Sequence, residues 1–322
     1  IATQLDYYYF QGTNEDSVIH YTNKVKEFAK ATHQPKYYYF AWANRLITYY
    51  LKTSRTNIAL YEVQNMLKEA QEEDDKTGLS RCYNIMSQIY TIKRFDSMAF
   101  EWRLKEIELT EKYKIENYNI SQTYAQIANY YINQKKQKEA LAAVEKAIAT
   151  ANSSTQQISA KLEFVNYYSK FGDFQAAEKL LKECQAAFEQ DKRLESIKKR
   201  LYNIECLYYQ QTKQYPKALE AAKMQEKEER RLSESILSSI HYRTQGEIYQ
   251  KMGNMNLAVK YLQMYINTDD SLKIANEQVA SSEFATLLNV EKLNAEKKEL
   301  MLQAQEKELH NKTTLDRKST RL

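Results

Sequence analysis

The sequence predicts an all-α protein, a right-handed superhelical solenoid of helical hairpins that ends in a long C-terminal helix. Three observations support this prediction. Tyrosine and alanine recur in step at six places along the 322 residues, and the apolar residues around them follow the three- and four-residue spacing of amphipathic helices. Only five glycines and two prolines are present. A solenoid also explains the length, because stacked units bury their faces against neighbours without one central core.

The clearest unit spans residues 124–147, YAQIANYYINQKKQKEALAAVEKA. Its pattern predicts two amphipathic helices joined by a short polar turn. Ala128 and Ala140 are expected where the paired helices cross, because methyl-sized side chains let two backbones approach closely. This spacing resembles a tetratricopeptide repeat (TPR). The resemblance implies antiparallel helical hairpins whose first helices line a concave groove.

The same two positions recur in the other units. The first-helix column is Tyr50, Tyr90, Tyr131, Tyr168, Tyr209 and Tyr249. The second-helix column is Ala59, Ala99, Ala140, Ala177, Ala218 and Ala258. Successive alanines are 40, 41, 37, 41 and 40 residues apart, more than the roughly 34 residues of a standard repeat, so we expect longer helices. We predict about six repeats over residues 35–269, after a partial repeat over residues 1–34.

Turn and cap residues support these repeat boundaries. Gly172 and Gly253 are expected to end first helices in a left-handed conformation. We expect Gly78 between helices and Gly246 in the same close-packed column as Ala128. The predicted N-caps of second helices are Asp96, Asp173 and Asn254.

After the repeats, residues 270–315 predict one uninterrupted helix, whose apolar first part would cover the last repeat. Its second part carries a seam typical of a dimerising coiled coil, formed by Val290, Leu293, Leu300 and Ala304. Lys297 and Lys307 share this seam, so a single charged helix held by Glu–Lys pairs stays open as the alternative. Residues 316–322, DRKSTRL, resemble a translated sequencing adapter and are expected to be an artefact.

The composition argues against several function classes. Its 47 basic and 42 acidic residues give a net charge of +5 and are interspersed, so no nucleic-acid-binding face is predicted. Cys82, Cys184 and Cys206 are scattered, and buried thiols are the favoured interpretation. Neither the cysteines nor the four histidines show metal-ligand spacing. We also find no phosphate loop and no nucleophile motif, so we expect no catalytic residue, metal or cofactor, and a binding role instead of an enzymatic one.

The repeat register predicts which polar side chains face the groove. They are Asn44, Arg81, Asn84, Gln88, Gln122, Asn129, Asn166, Arg200, Asn203 and Arg243. Amide side chains both donate to and accept from a peptide backbone, and arginine can pair with a carboxylate. We therefore predict a peptide or protein partner in the groove. The alternative is that these positions are ordinary solvated ones.

A more specific resemblance comes from the last segment. The repeats are followed by DDSL at 269–272 and by LLNVEKLNAEKKELMLQAQEKEL at 287–309. This arrangement resembles the sensor region of membrane-anchored histidine kinases of the Bacteroidetes type. The resemblance implies an exported repeat domain, a juxtamembrane coiled coil that could form a homodimer, a membrane helix downstream, and a cytoplasmic kinase or DNA-binding output. His310 lacks the context of a phosphoacceptor, so no catalytic residue is carried over.

Two locations follow from these interpretations. The sensor interpretation predicts the periplasmic side of a cell-membrane protein, signalling through the C-terminal coiled coil. The alternative is a soluble cytoplasmic scaffold or regulator that recruits a partner protein in the same groove. The chain begins IATQL without a methionine, so it is expected to be a fragment and its lack of a visible signal peptide decides nothing.

Overall fold

In the computed structural model, residues 14–232 and 239–271 are described, together with isolated positions towards both ends. These two ranges are helical and contain no strand. The helices are α1 (Glu15–Ala31), α2 (Pro35–Ala41, a π-helical stretch Trp42–Ile47, and Thr48–Lys52), α3 (Thr56–Glu72), α4 (Lys76–Ile92), α5 (Asp96–Tyr113), α6 (Ile120–Asn133), α7 (Gln137–Ala149), α8 (Ser154–Phe171), α9 (Phe174–Gln190), α10 (Lys198–Gln211), α11 (Tyr215–Leu232), α12 (Ile240–Lys251) and α13 (255–271). A short 3₁₀ helix, Lys192–Ile197, precedes α10. The predicted all-α class is confirmed.

The helices pair into successive hairpins, α2 with α3 through α12 with α13, and α1 packs on α2 ahead of them. First helices also contact first helices of neighbouring hairpins: α2 touches α4, α6 touches α8, and α8 touches α10. The buried side chains of the described residues form four clusters that follow one another along the chain. The first helices of these neighbouring hairpins therefore pack side by side, and the first-helix layer that they form carries the candidate site.

Every hairpin turn from α2 to α13 is built in the same way. The carbonyl of the column tyrosine accepts a hydrogen bond of 2.8–3.0 Å from the amide five residues later. The residue just before that amide has a positive φ of 56–90°, which is the geometry of a Schellman cap. These left-handed residues are Ser54, Arg94, Lys135, Gly172, Lys213 and Gly253. The prediction for Gly172 and Gly253 is thus confirmed.

The turn also explains the Tyr–Ala rhythm. In all six hairpins the column alanine lies nine residues after the column tyrosine. Its amide closes the first turn of the second helix, as in the 2.9 Å bond from Ala140 N to Lys136 O. All six alanines are at most 2 % exposed. A methyl group at this position lets the two helices of a hairpin approach closely.

Local predictions had mixed outcomes. Asp173 and Asn254 cap their helices, accepting from the amides of Ala176 and Leu257. The prediction for Asp96 is wrong, because Phe95 precedes the helix and no side chain caps it.

Of the two further glycine predictions, one is wrong and one is confirmed. The prediction that Gly78 lies between helices is wrong, because it lies in the first turn of α4. There a Cβ would come within 2.6 Å of the Tyr39 ring. At Gly246 an added Cβ would lie 2.9 Å from Leu262 Cγ, so the predicted close packing is confirmed.

Several predictions fall outside the described residues. They concern the first part of the partial repeat, before residue 14, the capping helix beyond residue 271, and the seam of Val290, Leu293, Leu300 and Ala304. None of the helices within 14–232 and 239–271 combines the length and hydropathy that crossing a bilayer requires. The coiled coil and any membrane attachment stay predictions.

Candidate functional site

All ten predicted groove residues lie on first helices, and seven of them line two clefts. The N-terminal cleft, of about 330 Å³, lies between α2, α4 and the loop 114–119, and includes Asn44, Arg81, Asn84 and Gln88. The central cleft, of about 470 Å³, lies between α6, α8 and α10, and includes Gln122, Arg200 and Asn203. Asn129, Asn166 and Arg243 line neither cleft. Arg243 instead pairs with Glu247 on its own helix at 3.6 Å.

Arg81 is the main cation of the N-terminal cleft. Its Nη1 donates to Asn44 Oδ1 at 2.6 Å, and its guanidinium carbon lies 5.7 Å from the centre of the Phe40 ring. Its Nε is buried with no hydrogen-bond partner. Burial lowers the pKa of the guanidinium, because desolvation disfavours the charged form. Among the described contacts, the hydrogen-bond partner of this partly buried cation is a neutral amide.

A buried carboxylate lies in the same cleft. Glu106, on α5, is 2 % exposed and accepts from Asn84 Nδ2 at 3.2 Å and from Asn117 Nδ2 at 2.9 Å. Gln88 Nε2 donates to Asn84 Oδ1 at 2.6 Å and so fixes the orientation of that amide. Burial raises the pKa of the Glu106 carboxyl, against the effect of the two amides and of the nearby Arg103. Asn84 therefore serves an internal network as well as the cleft surface.

The loop 114–119 separates the two clefts. Glu116 pairs with Lys36 of α2 at 3.2 Å, and the carbonyl of Tyr118 accepts from Gln156 Nε2 of α8 at 2.8 Å. Gln156 itself lines the central cleft. The Tyr118 side chain is 64 % exposed. The loop thus spans the first-helix layer and presents an aromatic ring to solvent beside the N-terminal cleft.

A buried carboxylate, Glu163 of α8, lies next to the central cleft without lining it, and its side chain is 4 % exposed. Arg200 Nη2 forms a short ion pair with Glu163 Oε1. Asn166 and Asn129 donate weakly to Glu163 Oε2, at 3.4 and 3.5 Å. Three predicted groove residues therefore converge on one buried carboxylate. Gln122 and Asn203 remain exposed on the cleft surface.

Sequence reasoning missed the two carboxylates that organise these clefts. Glu163 stands within KLEFVNYYSKF, where its neighbours Leu162 and Val165 are apolar. An acid within an apolar stretch is a signal that could have found it. Glu106 lies in WRLKEIELTEKY among many charged residues, so its burial carries no comparable signal.

The described part of the chain contains neither a candidate metal site nor a reactive thiol. Its His, Cys, Asp and Glu side chains form no group that could hold a metal ion. Cys82, Cys184 and Cys206 are buried free thiols, as predicted. Burial raises their pKa values to about 12, 11 and 11, respectively. Such thiols are poor nucleophiles at neutral pH.

Comparisons with known proteins address the fold. No protein-family model matches the chain, and no curated protein matches its sequence. The solved structure of NprR in complex with its cognate peptide NprX has a TM-score of 0.58 and 13 % identity, over 83 % of this chain and 77 % of NprR. The apo form of RapI has a TM-score of 0.56 and 16 % identity, over 84 % and 98 %. A tetratricopeptide repeat protein from Parabacteroides merdae has a TM-score of 0.53 and 13 % identity, over 88 % and 98 %.

The fold is a TPR-like helical-repeat solenoid. This confirms the fold class predicted from the tyrosine and alanine columns. The identities of 13–16 % establish the fold alone. The histidine-kinase resemblance of the C-terminal segment is not shown by these comparisons.

Proposed function

We propose that this chain is a non-catalytic binding protein whose first-helix layer holds an extended segment of a peptide or protein partner. The observation that carries the proposal is that seven residues predicted from the repeat register line two clefts on this layer. Concave sites with a few well-placed polar groups are the usual form of a binding site. The TPR-like NprR, solved in complex with its cognate peptide, offers a structural precedent.

The chemistry of the central cleft suits a peptide backbone. Amides from four helices line it, and the first two of them are exposed: Gln122, Asn203, Gln156 and Gln225. Amide side chains donate and accept at once, so they can hydrogen-bond both the N–H and the C=O groups of an extended chain. Such contacts hold a backbone without demanding a particular side chain.

The test uses residues that face the cleft and take no part in the Glu106 or Glu163 networks. We expect Gln122→Ala with Asn203→Ala to weaken binding to an array of random twelve-residue peptides by roughly tenfold, from the loss of two hydrogen bonds. The matched control is Gln137→Ala with Gln175→Ala, two exposed amides on second helices. Binding that is unchanged in the cleft variant, or equally reduced in the control, would contradict the proposal.

The finer assignment is that this binding region is the periplasmic sensor of a membrane-anchored histidine kinase. The sequence resemblance over 269–309 supports it. The alternative is a cytoplasmic scaffold or regulator that uses the same groove. Reading the gene beyond the codon for Leu315 separates them: about twenty apolar residues would support the sensor, and a polar continuation or a stop would support the scaffold.

We further propose that the C-terminal helix joins two copies into a homodimer. Its seam of Val290, Leu293, Leu300 and Ala304 motivates this step. Light scattering on chains ending at Asp270 and at Leu315 tests it. We expect the longer chain to have twice the monomer mass and the shorter one to be monomeric. Equal monomer masses would remove the coiled coil from the signalling mechanism.

A further inference from the structure

Arg81 and Arg200 occupy equivalent places in their hairpins. Each lies nine residues before its column tyrosine. Each reaches a side chain on the preceding first helix 37 residues earlier in the chain. Each also keeps its Nε buried and without a hydrogen-bond partner. The two clefts therefore repeat one cross-helix contact.

The residue at the other end of this contact differs. For Arg200 it is the carboxylate of Glu163, and for Arg81 it is the amide of Asn44. A carboxylate neutralises the guanidinium, whereas an amide oxygen accepts one hydrogen bond and leaves the charge in place. The charge of Arg200 is thus neutralised by a carboxylate of the protein itself. In the N-terminal cleft, the described residues supply no carboxylate that pairs with Arg81.

The other charged groups of the N-terminal cleft do not supply a counter-ion for Arg81. Glu116 pairs with Lys36 at 3.2 Å. Glu106 is 2 % exposed and its oxygens accept from Asn84 and Asn117. Among the ion pairs of the described residues, none joins Arg81 to either carboxylate. Arg81 is also less buried than Glu106, so a ligand in the cleft reaches the cation and not the buried acid.

We propose that the N-terminal cleft binds a carboxylate of the partner, with Arg81 as the anion-binding group and Asn44 orienting its guanidinium. This inference rests on the proposed binding function and specifies how the partner is oriented along the groove. The partner's acidic group lies at the α2–α4 end of the groove, and an uncharged stretch lies in the central cleft. A singly charged carboxylate suits the cleft better than a phosphate dianion, because Glu106 and Glu116 also line it and would repel the second charge.

The experiment separates the two possible sources of the carboxylate. The full chain is applied to an array of twelve-residue peptides in two forms, one with a free C-terminus and one with an amidated C-terminus. Each form includes sequences with and without Asp and Glu. Preference confined to free C-termini identifies a terminal carboxylate, and preference for Asp or Glu in amidated peptides identifies a side chain.

Three variants assign the preference to a residue. We expect Arg81→Gln to reduce binding of carboxylate-bearing peptides roughly 10- to 100-fold, as loss of a charge-assisted hydrogen bond should. Arg81→Lys keeps the charge but not the planar fork, so a smaller loss is expected. Arg193→Gln is the control, because Arg193 is an exposed arginine that lines neither cleft, and it should leave the carboxylate preference intact. Circular dichroism of each variant confirms that it is folded.

Each remaining outcome decides the question. If the wild-type chain binds peptides without preferring carboxylates, this inference is wrong and the binding function stands. An equal loss of preference in the Arg81→Gln and Arg193→Gln variants would also overturn it. If the wild-type chain binds no peptide in either form, the proposed function fails and the inference fails with it.

Discussion

The two clefts solve the same physical problem in different ways. Each combines one buried carboxylate with one partly exposed arginine. In the central cleft, Glu163 and Arg200 are paired with each other. In the N-terminal cleft, Glu106 and Arg81 are kept apart, and neutral amides bond each of them.

This difference matters because a buried charge is unfavourable unless it is paired. The central cleft meets that condition internally, so its charges serve structure. The N-terminal cleft meets it only in part, as the lowered pKa of Arg81 and the raised pKa of Glu106 indicate. Unpaired charge at a surface cleft is typical of a site whose ligand completes the pairing.

The largest expected effect on the free energy of unfolding is in the central cleft, where the two charges are paired. We expect Arg200→Gln to lower the free energy of unfolding by about 2–3 kcal/mol at pH 7, because Glu163 would remain buried as an uncompensated charge. Urea denaturation measures the change. Adding Glu163→Gln to this variant should recover most of the loss. If the single and double variants unfold at the same urea concentration, the pairing is not what stabilises this cleft.

A smaller effect is expected from making the N-terminal cleft resemble the central one. Asn44→Asp places a carboxylate against Arg81 without changing the length of the side chain. We expect it to raise the free energy of unfolding by about 1 kcal/mol at pH 7, and to reduce the preference for carboxylate-bearing peptides. Asn203→Asp, in the central cleft, is the control and should do neither. A destabilised Asn44→Asp variant would contradict the charge imbalance inferred for Arg81.

The pH dependence of the free energy of unfolding tests Glu106, the carboxylate of the N-terminal cleft that forms no described ion pair. Its pKa in the folded state is raised above the unfolded value, so the folded state binds the proton more readily. The free-energy cost of burying the ionised carboxyl applies in full at pH 7. It diminishes as the pH falls through the folded-state pKa towards about 4.5, the unfolded value. We expect the stability of the wild-type chain to rise relative to that of Glu106→Gln as the pH falls over this range. A constant difference between the two proteins would show that the carboxyl is not perturbed.

The smallest expected effect is at Arg81 itself. Arg81→Gln removes a partly buried cation that has no described carboxylate partner, so the free energy of unfolding should stay unchanged or rise by about 0.5 kcal/mol. The same urea measurement applies. This result would contrast with Arg200→Gln, although the two arginines occupy equivalent positions. A loss of more than about 1 kcal/mol would show that Arg81 is a structural residue.

The sequence by itself determined the fold and the side of the molecule that carries the clefts. Helix periodicity and the nine-residue Tyr–Ala spacing are local properties, set by the 3.6-residue turn and by the hairpin cap. They place Asn44, Arg81 and Arg200 on the first-helix layer without reference to distant residues. Asp96 and Gly78 show the limit of this reasoning, because a shift of one to three residues at a helix end changes a cap into a helix position.

Only the tertiary structure decided which charges meet. Arg81 and Arg200 have the same register, yet one meets an amide and the other a carboxylate 37 residues earlier. These contacts between helices depend on how far one hairpin is offset from the next and on side-chain rotamers. Neither of these is encoded in the local spacing of residues. Glu106 became part of the site because packing buried it against α4 of its own hairpin, beside the amides of Asn84 and of Asn117 in the loop 114–119.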